Sequence, residues 1–230
     1  MTGTRGSGVW AVLVAAGRGE RMGSERPKAF ANLNGRPLVA ESLERLDASE
    51  WIEALVVVTP EEWEEPTILL AEELGAGKVH SAVPGGATRQ ESVRRGLAEV
   101  PEEAAVVVVH DAARPLLPAD VLERVVSGLG DEWDGAVPGL PLADTVKRAE
   151  GDAVAETVDR DGLYVAQTPQ GFLAGSLRHA FEGEHEATDC AGLVEAAGGR
   201  VRIVEGDRRL VKVTTTADLD LVETLLRAEG

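Results

Sequence analysis

The stretch Val9–Lys28, VWAVLVAAGRGERMGSERPK, sets a short apolar run against a segment crowded with glycine and cations. Val9–Val14 is continuous and valine-rich, as a strand buried on both faces of a parallel sheet requires. The residues that follow, Ala15–Ala16–Gly17, suit a turn whose backbone N–H groups approach an anion closely, because glycine removes the intervening Cβ and permits positive φ. Arg21 and Lys28 follow in the same loop, spaced to curl around a triphosphate from one side. Together these features predict a phosphate cradle at the carboxyl end of a strand. It is neither of the two commonest ones. Gly17, Gly19 and Gly23 give G-x-G-x-x-x-G, one residue longer than the dinucleotide fingerprint, and the next strand closes with Thr59–Pro60 rather than an acidic residue. A Walker loop, with Gly-Lys-Ser/Thr at its end, does not occur.

Outward from this loop the pattern repeats. Apolar, β-branched runs recur at Ala54–Thr59, Ala105–Val109 and Val201–Val204, with Ala136–Val137 a weaker candidate. Helical segments fall between them. Thr88 precedes Glu91, and Thr215 precedes Asp218, at the spacing that lets a threonine hydroxyl cap a helix while an acid reaches back. This alternation predicts an α/β, Rossmann-like three-layer domain with a mostly parallel sheet, its ligands at the carboxyl ends of the strands. Asp144–Arg160 breaks the pattern with two alternating stretches around Glu150–Gly151–Asp152 and predicts a projecting β-hairpin arm at about 142–163. A turn centred there sets Thr145 nearly opposite Val158, so that Thr145 and Arg160 meet at the end away from the tip. An isolated ribbon is marginally stable, so the arm is expected to pack on something, a second subunit being one candidate.

The 230 residues, 43% of them hydrophobic, suffice for one substantial core, and a single domain over 1–230 is expected. A net charge of −17 argues against a nucleic-acid or anionic-membrane partner, since a polyanion is repelled by such a surface. Any phosphate site is therefore local. Glu-rich runs such as Glu61–Glu65, interrupted by Trp63, read as solvated faces. Cys190, the single cysteine, cannot form an internal disulfide and suits the reducing cytoplasm. Neither a signal peptide nor a membrane-spanning run is expected, because the N-terminal apolar run falls far short of the ~20 residues a bilayer requires. The histidines, His80, His110, His179 and His185, lack zinc spacing and read as surface or packing residues.

Further motifs follow in order: GGATRQESV at Gly85–Val93, VHDAARP at Val109–Pro115, DTVKR at Asp144–Arg148, TVDRDGLYVAQTPQGF at Thr157–Phe172, TDCAGLVE at Thr188–Glu195 and VKVTTTADL at Val211–Leu219. With AAGRGERMGSERPK they resemble the 2-C-methyl-D-erythritol 4-phosphate cytidylyltransferase family, one of the sugar- and polyol-phosphate nucleotidyltransferases, from about Val9 to Leu226. The resemblance implies a homodimer with Mg²⁺ as cofactor. The reaction it implies is attack by an acceptor phosphate on the α-phosphorus of CTP, with release of pyrophosphate, in non-mevalonate isoprenoid synthesis.

It also implies roles. Ala15, Ala16 and Gly17 hold the nucleotide, with Ala112 beside them, and Gly85, Gly86 and Ser92 read the cytosine edge. Arg21 and Lys28 neutralise charge developing on the α-phosphate and the leaving group. Asp111, at the end of a strand, contacts the substrate and Mg²⁺, and Arg114 serves the same pocket. Thr145, Arg160, Thr168, Thr188 and Lys212 bind the acceptor. Thr145 and Arg160 reach it from the partner's arm, and Arg160 and Lys212 grip its phosphate. Two positions depart from the family pattern: Cys190 stands where a second acid is usual, and Leu210 where an asparagine is usual. The first makes another polyol phosphate, such as ribitol 5-phosphate, an alternative acceptor. A catalytically silent nucleotide-binding module is an alternative of a different class. Cys190 as a nucleophile is a further reading, against a buried and inert thiol.

Overall fold

The structure, a computed structural model, describes residues 8–17 and 27–229. Arg21 and the glycines at 19 and 23 lie outside them. In chain order the elements are β1 (Val9–Val14), β2 (Asn32–Leu33), β3 (Arg36–Pro37), α1 (Leu38–Asp47), β4 (Ala54–Thr59), α2 (Glu64–Leu74), β5 (Val79–Pro84) and α3 (Arg89–Ala98). They continue with β6 (Val106–Asp111), α4 (Ala119–Ser127), β7 (Gly135–Pro141), β8 (Val146–Glu150), β9 (Ala153–Val158), β10 (Tyr164–Ala166) and β11 (Gln170–Leu173). The last are α5 (Ala174–Glu182), α6 (Cys190–Ala196), β12 (Val201–Glu205) and α7 (Thr216–Glu229).

The main sheet runs β10-β7-β11-β6-β1-β4-β5, with β12 also paired to β7. Parallel pairing joins β6, β1, β4 and β5, while β11 runs antiparallel to both β6 and β7. Alternation along β1 feeds a core on each face. Trp10 and Val12 pack with Val93 and Leu97 of α3 and with Leu177 and Leu193 of α5 and α6. Ala11 and Leu13 pack on the other side with Val39, Leu43 and Leu46 of α1 and with Val121 and Leu122 of α4. A smaller cluster seats α7 through Val222 on Leu33, Leu38 and Leu116. This is the predicted mixed α/β layering.

Three expectations need correction. The run at Val201–Val204 forms β12, but Arg202, Ile203 and Glu205 are exposed, so it is an edge strand rather than a doubly buried one. The weaker candidate at Ala136–Val137 is the more deeply buried strand, β7, buried from Gly135 to Gly139. Lys212, expected on a strand, lies in an extended loop. Val213 N–H donates to Ala113 O, but no ladder follows to make a strand of 211–214.

The hairpin forms as predicted in kind, with a register one residue off. Glu150 pairs with Ala153 across the Gly151–Asp152 turn, yet the register shifts between Arg148 and Ala149, leaving Ala155 unpaired as a bulge. Val146 rather than Thr145 therefore faces Val158. Thr145 and Arg160 still share the base of the ribbon, where Arg160 Nη1 donates to Ala143 O.

Gly96 in α3 faces β1 and β4 so closely that a Cβ there would lie 2.6 Å from Val12 Cγ1 and 2.7 Å from Val58 Cγ2. Both neighbours are β-branched and fully buried, with little freedom to yield. Gly96→Ala is therefore expected to destabilise the protein by on the order of 1–2 kcal/mol, because overpacking outweighs alanine's helix preference of about 1 kcal/mol. Urea unfolding of the two proteins measures this, and a stabilised variant would contradict the packing account.

Candidate active site

Parallel register aligns the ends of three strands: Val14 pairs with Val58 of β4 and with Asp111 of β6. The loops leaving them are stitched together, since Ala15 N–H donates to Val58 O, Ala112 N–H to Val14 O and Gly85 N–H to Thr59 O. Between them opens a cleft of about 630 Å³. Ala15, Ala16 and Gly17 line one wall, Gly86 and Ser92 another, and Asp111, Ala112, Lys28 and Lys212 complete it. Nine of the predicted site residues thus converge.

The wall at Gly85–Ser92 is shaped by absent side chains. A Cβ on Gly85, just behind the lining, would sit 2.2 Å from Ala16 Cβ, and one on Gly86 would strike Glu91. Ser92 Oγ accepts from Gly86 N–H at 3.0 Å and donates to Thr88 O at 2.9 Å, which fixes the hydroxyl against the turn. Thr88 Oγ1 accepts from Glu91 N–H and caps α3 as the sequence predicts.

Asp111 is the centre of charge. Its Oδ1 accepts from Arg89 Nε at 3.0 Å and Nη2 at 2.9 Å, and its Oδ2 from Lys212 Nζ at 2.8 Å. Burial alone pushes this carboxyl up, but Arg89 and then Lys212 more than offset it and hold it well below the usual carboxylate range. Arg89 is the residue that sequence reasoning passed over. Its signal lay in its place: a cation at the first position of a helix opposes the helix dipole and calls for a counter-ion nearby.

Five other predicted residues stand away from the cleft lining. Thr145 and Arg160 are exposed at the base of the hairpin, and Thr188 is exposed before α6. Arg114 is buried and turns its guanidinium to backbone, donating from Nη1 to Leu210 O at 2.5 Å, while burial lowers its pKa. Leu210 is fully buried in the core, which accounts physically for an apolar residue there. Thr168 is buried, its Oγ1 3.1 Å from His110 Nδ1. His110 is wholly buried on β6, the packing alternative of its sequence reading, and burial pushes its pKa down to about 4.

Cys190 is also buried. Arg89 Nη1 donates to its Sγ at 3.7 Å, and burial pushes the thiol up to about 11. A thiol that stays protonated at neutral pH is a poor nucleophile, which disposes of the covalent reading.

The chain matches the family model described as 2-C-methyl-D-erythritol 4-phosphate cytidylyltransferase over residues 9–228. The chain belongs to that family. A cytidylyltransferase of that description from Nocardia farcinica is 44% identical over 219 residues, covering 95% of this chain and 94% of that protein. A bifunctional enzyme IspD/IspF from Rhodospirillum rubrum is 42% identical over 227 residues, and the match spans 96% of this chain but 58% of that longer protein. Among solved structures, the 2-C-methyl-D-erythritol 4-phosphate cytidylyltransferase from Thermus thermophilus superposes with a TM-score of 0.77 at 35% identity, covering 94% of this chain and 98% of that one. As a member of this cytidylyltransferase family, the chain places its cleft where the strand order leaves room at the carboxyl ends, the position expected for a nucleotide.

Removing the Asp111 charge leaves the Arg89 and Lys212 cations without the carboxylate they share. Asp111→Asn is expected to cost about 1–3 kcal/mol of stability at neutral pH, less than a wholly buried pair because Lys212 is 42% exposed. A carboxyl held below its ordinary value contributes stability above the unfolded pKa and loses it as pH falls further. The gap between wild type and variant should hold above about pH 5 and narrow progressively below it, past 3.8, the ordinary value, as thermal unfolding across pH will show.

Proposed function

We propose that this cleft transfers a cytidylyl group from CTP to 2-C-methyl-D-erythritol 4-phosphate, releasing pyrophosphate. The observation that carries the reading is the convergence of Arg89 and Lys212 on one carboxylate at the end of β6, with Lys28 lining the same cleft, beneath a backbone-walled pocket. An acceptor phosphate oxygen forms a bond to the α-phosphorus of CTP. The bond from that phosphorus to the β-bridging oxygen breaks, and its electron pair leaves on pyrophosphate. No protein nucleophile is required, and the attacking oxygen is already ionised at neutral pH, so the chain's task is to position the phosphates and offset their charge. The Ala15–Gly17 backbone and the Gly85–Ser92 wall seat the nucleotide. Lys28 faces the triphosphate, a role the resemblance also gives Arg21, which lies outside the described residues, and Lys212 meets the acceptor phosphate.

The family reaction implies a divalent cation, and the residues fit Mg²⁺. Among the described residues Asp111 is the acid that lines the cleft. Mg²⁺ prefers this kind of site, with one or two carboxylates and the substrate's phosphate oxygens. Bound there, it would neutralise charge on the transferring and leaving phosphates.

The same proposal makes the enzyme a homodimer with exchanged arms. The hairpin forms a sheet of its own and is exposed along most of its length, including Val154, and its base carries exposed Leu163, Tyr164 and Val165. Thr145 and Arg160 stand outside their own cleft, as residues serving a partner's cleft must. Among the described residues no helix is long and apolar enough to cross a membrane, and Cys190 is free and buried. Both features suit work in the cytosol.

Pyrophosphate release from CTP and Mg²⁺ with 2-C-methyl-D-erythritol 4-phosphate is the direct test, run beside ribitol 5-phosphate and with UTP or ATP in place of CTP. Release confined to CTP and the methylerythritol phosphate supports the reading, and Lys212→Ala should lower kcat on the order of 10²- to 10³-fold. Preference for ribitol phosphate would replace the acceptor, and silence with every pair would leave a binding module. The arm is tested by mixing Arg160→Ala chains with Lys28→Ala chains. Half the dimers then contain one intact site, so about a quarter of wild-type activity should return. Heterodimers that form and stay inactive remove the exchanged arm from the account.

A further inference from the structure

Lys212 projects from an extended strap whose flanking side chains point the other way. Val211 and Val213 pack into the cluster that seats α7, with Leu33, Leu38, Leu116 and Val222, while Lys212 between them reaches Asp111. The strap is anchored on two sides. Towards β6, Val213 N–H donates to Ala113 O at 2.8 Å. Towards α7, a single carboxylate oxygen gathers the backbone: Asp218 Oδ2 accepts from Thr214 N–H at 2.8 Å, Thr214 Oγ1 at 2.7 Å, Thr215 N–H at 2.8 Å and Thr215 Oγ1 at 3.0 Å. The bonds to Thr215, with Asp218 N–H returning to Thr215 Oγ1 at 3.3 Å, form a capping box at the start of α7. Those to Thr214 exceed what a helix start requires, because Thr214 stands before the cap and lines the cleft together with Lys212. Hydrogen bonds from the Thr214 hydroxyl and then from its N–H hold the Asp218 carboxyl down to about 2, so it is charged at neutral pH. The helix that carries it is itself fixed, since Val222 is fully buried and Glu223 Oε1 accepts from Asn34 N–H at 3.3 Å.

We propose that Asp218 is a positioning residue for the transfer: held on α7, it fixes the Thr214 end of the strap and so keeps Lys212 Nζ at Asp111, where the acceptor phosphate is met. Asp218 does not line the cleft, and it acts through the strap alone. With no ladder along 211–214, the strap takes its place from these anchors and from its valines. A lysine ammonium rides on a flexible four-carbon stem, so its aim depends on how firmly the backbone beneath it is held. This deepens the cytidylyl-transfer reading and rests on it, because it adds to Lys212 the residue that aims it.

The test pairs a measurement without substrate and one with it. In amide hydrogen exchange of the full-length protein, Thr214 and Thr215 should be protected in wild type and exchange on the order of 10-fold faster in Asp218→Ala. The Nζ resonance of Lys212 should shift in the same variant, as its contact with Asp111 loosens. In the reaction, Asp218→Ala should lower kcat on the order of 10-fold, with KM for CTP within about 2-fold of wild type. Asp218→Asn keeps one acceptor oxygen and should lose less. In a Lys212→Ala background, Asp218→Ala should lower kcat by less than about 2-fold, because the side chain it aims is gone. A cap that served α7 alone would lower the thermal midpoint and leave kcat unchanged, and that outcome overturns the proposal. So does a loss of full size that persists without Lys212, or a Thr214 amide that exchanges freely in wild type. A wild-type protein inactive with every acceptor would overturn the transfer reading instead, while exchange and the Lys212 resonance still decide whether Asp218 holds the strap. Should Asp218→Ala fail to fold, Asp218→Asn makes the same comparison in both backgrounds.

Discussion

Burial of both faces of the central strands is the constraint from which the rest follows. Trp10 and Val12 serve one core while Ala11 and Leu13 serve the other, so β1 has no free face on which to place chemistry. Polar function is left to the strand ends, where the backbone stops pairing and loops begin. Parallel pairing then brings Val14, Val58 and Asp111 to one level, and the segments leaving that level line the cleft. A buried acid at such a place is costly unless paired. Asp111 is paired twice, by Arg89 from the start of α3 and by Lys212 from the loop before α7. One carboxylate therefore ties together three segments far apart in sequence.

The layering was legible because it rests on periodicity. Val9–Val14, Ala54–Thr59 and the valines of β6 are continuous apolar runs, and both threonine caps form where their spacing put them. The cleft was legible where it is made of glycine and backbone, since a missing Cβ leaves a mark in sequence. Less legible was anything decided by pairing across the fold. Val201–Glu205 has the composition of an interior strand, yet it lies at an edge because, among the described residues, β7 is its one ladder partner. The Ala155 bulge shifts one strand of the arm by a residue, and no local preference at Ala155 announces it. Arg89 was missed, and His110 was read only as a surface or packing residue, for a related reason. Each looks ordinary beside its sequence neighbours and acquires meaning from Asp111, reached over 22 residues in one case, and from Thr168, reached over 58 in the other.

The residues outside the cleft divide into two kinds. Arg114 and Leu210 are bound into the interior, one donating to the carbonyl of the other, and shape the floor behind the loops. Thr145 and Arg160 face solvent at the root of a ribbon that has no core of its own. A side chain drawn inward and one held outward leave the cleft for opposite reasons. The first kind supports its walls, and the second suits use by another molecule.

The cations of the cleft sit in a chain whose net charge is −17, and the two facts act over different distances. At physiological salt, electrostatic reach fades over about 8 Å. A nucleotide seated among Lys28, Arg89 and Lys212 is thus governed by its immediate neighbours and scarcely by the acidic exterior. A long polyanion has no such shelter, because any length beyond the cleft must lie along glutamates and aspartates. Such a distribution of charge favours a small anion, which fits within the hollow, over a long one, which does not.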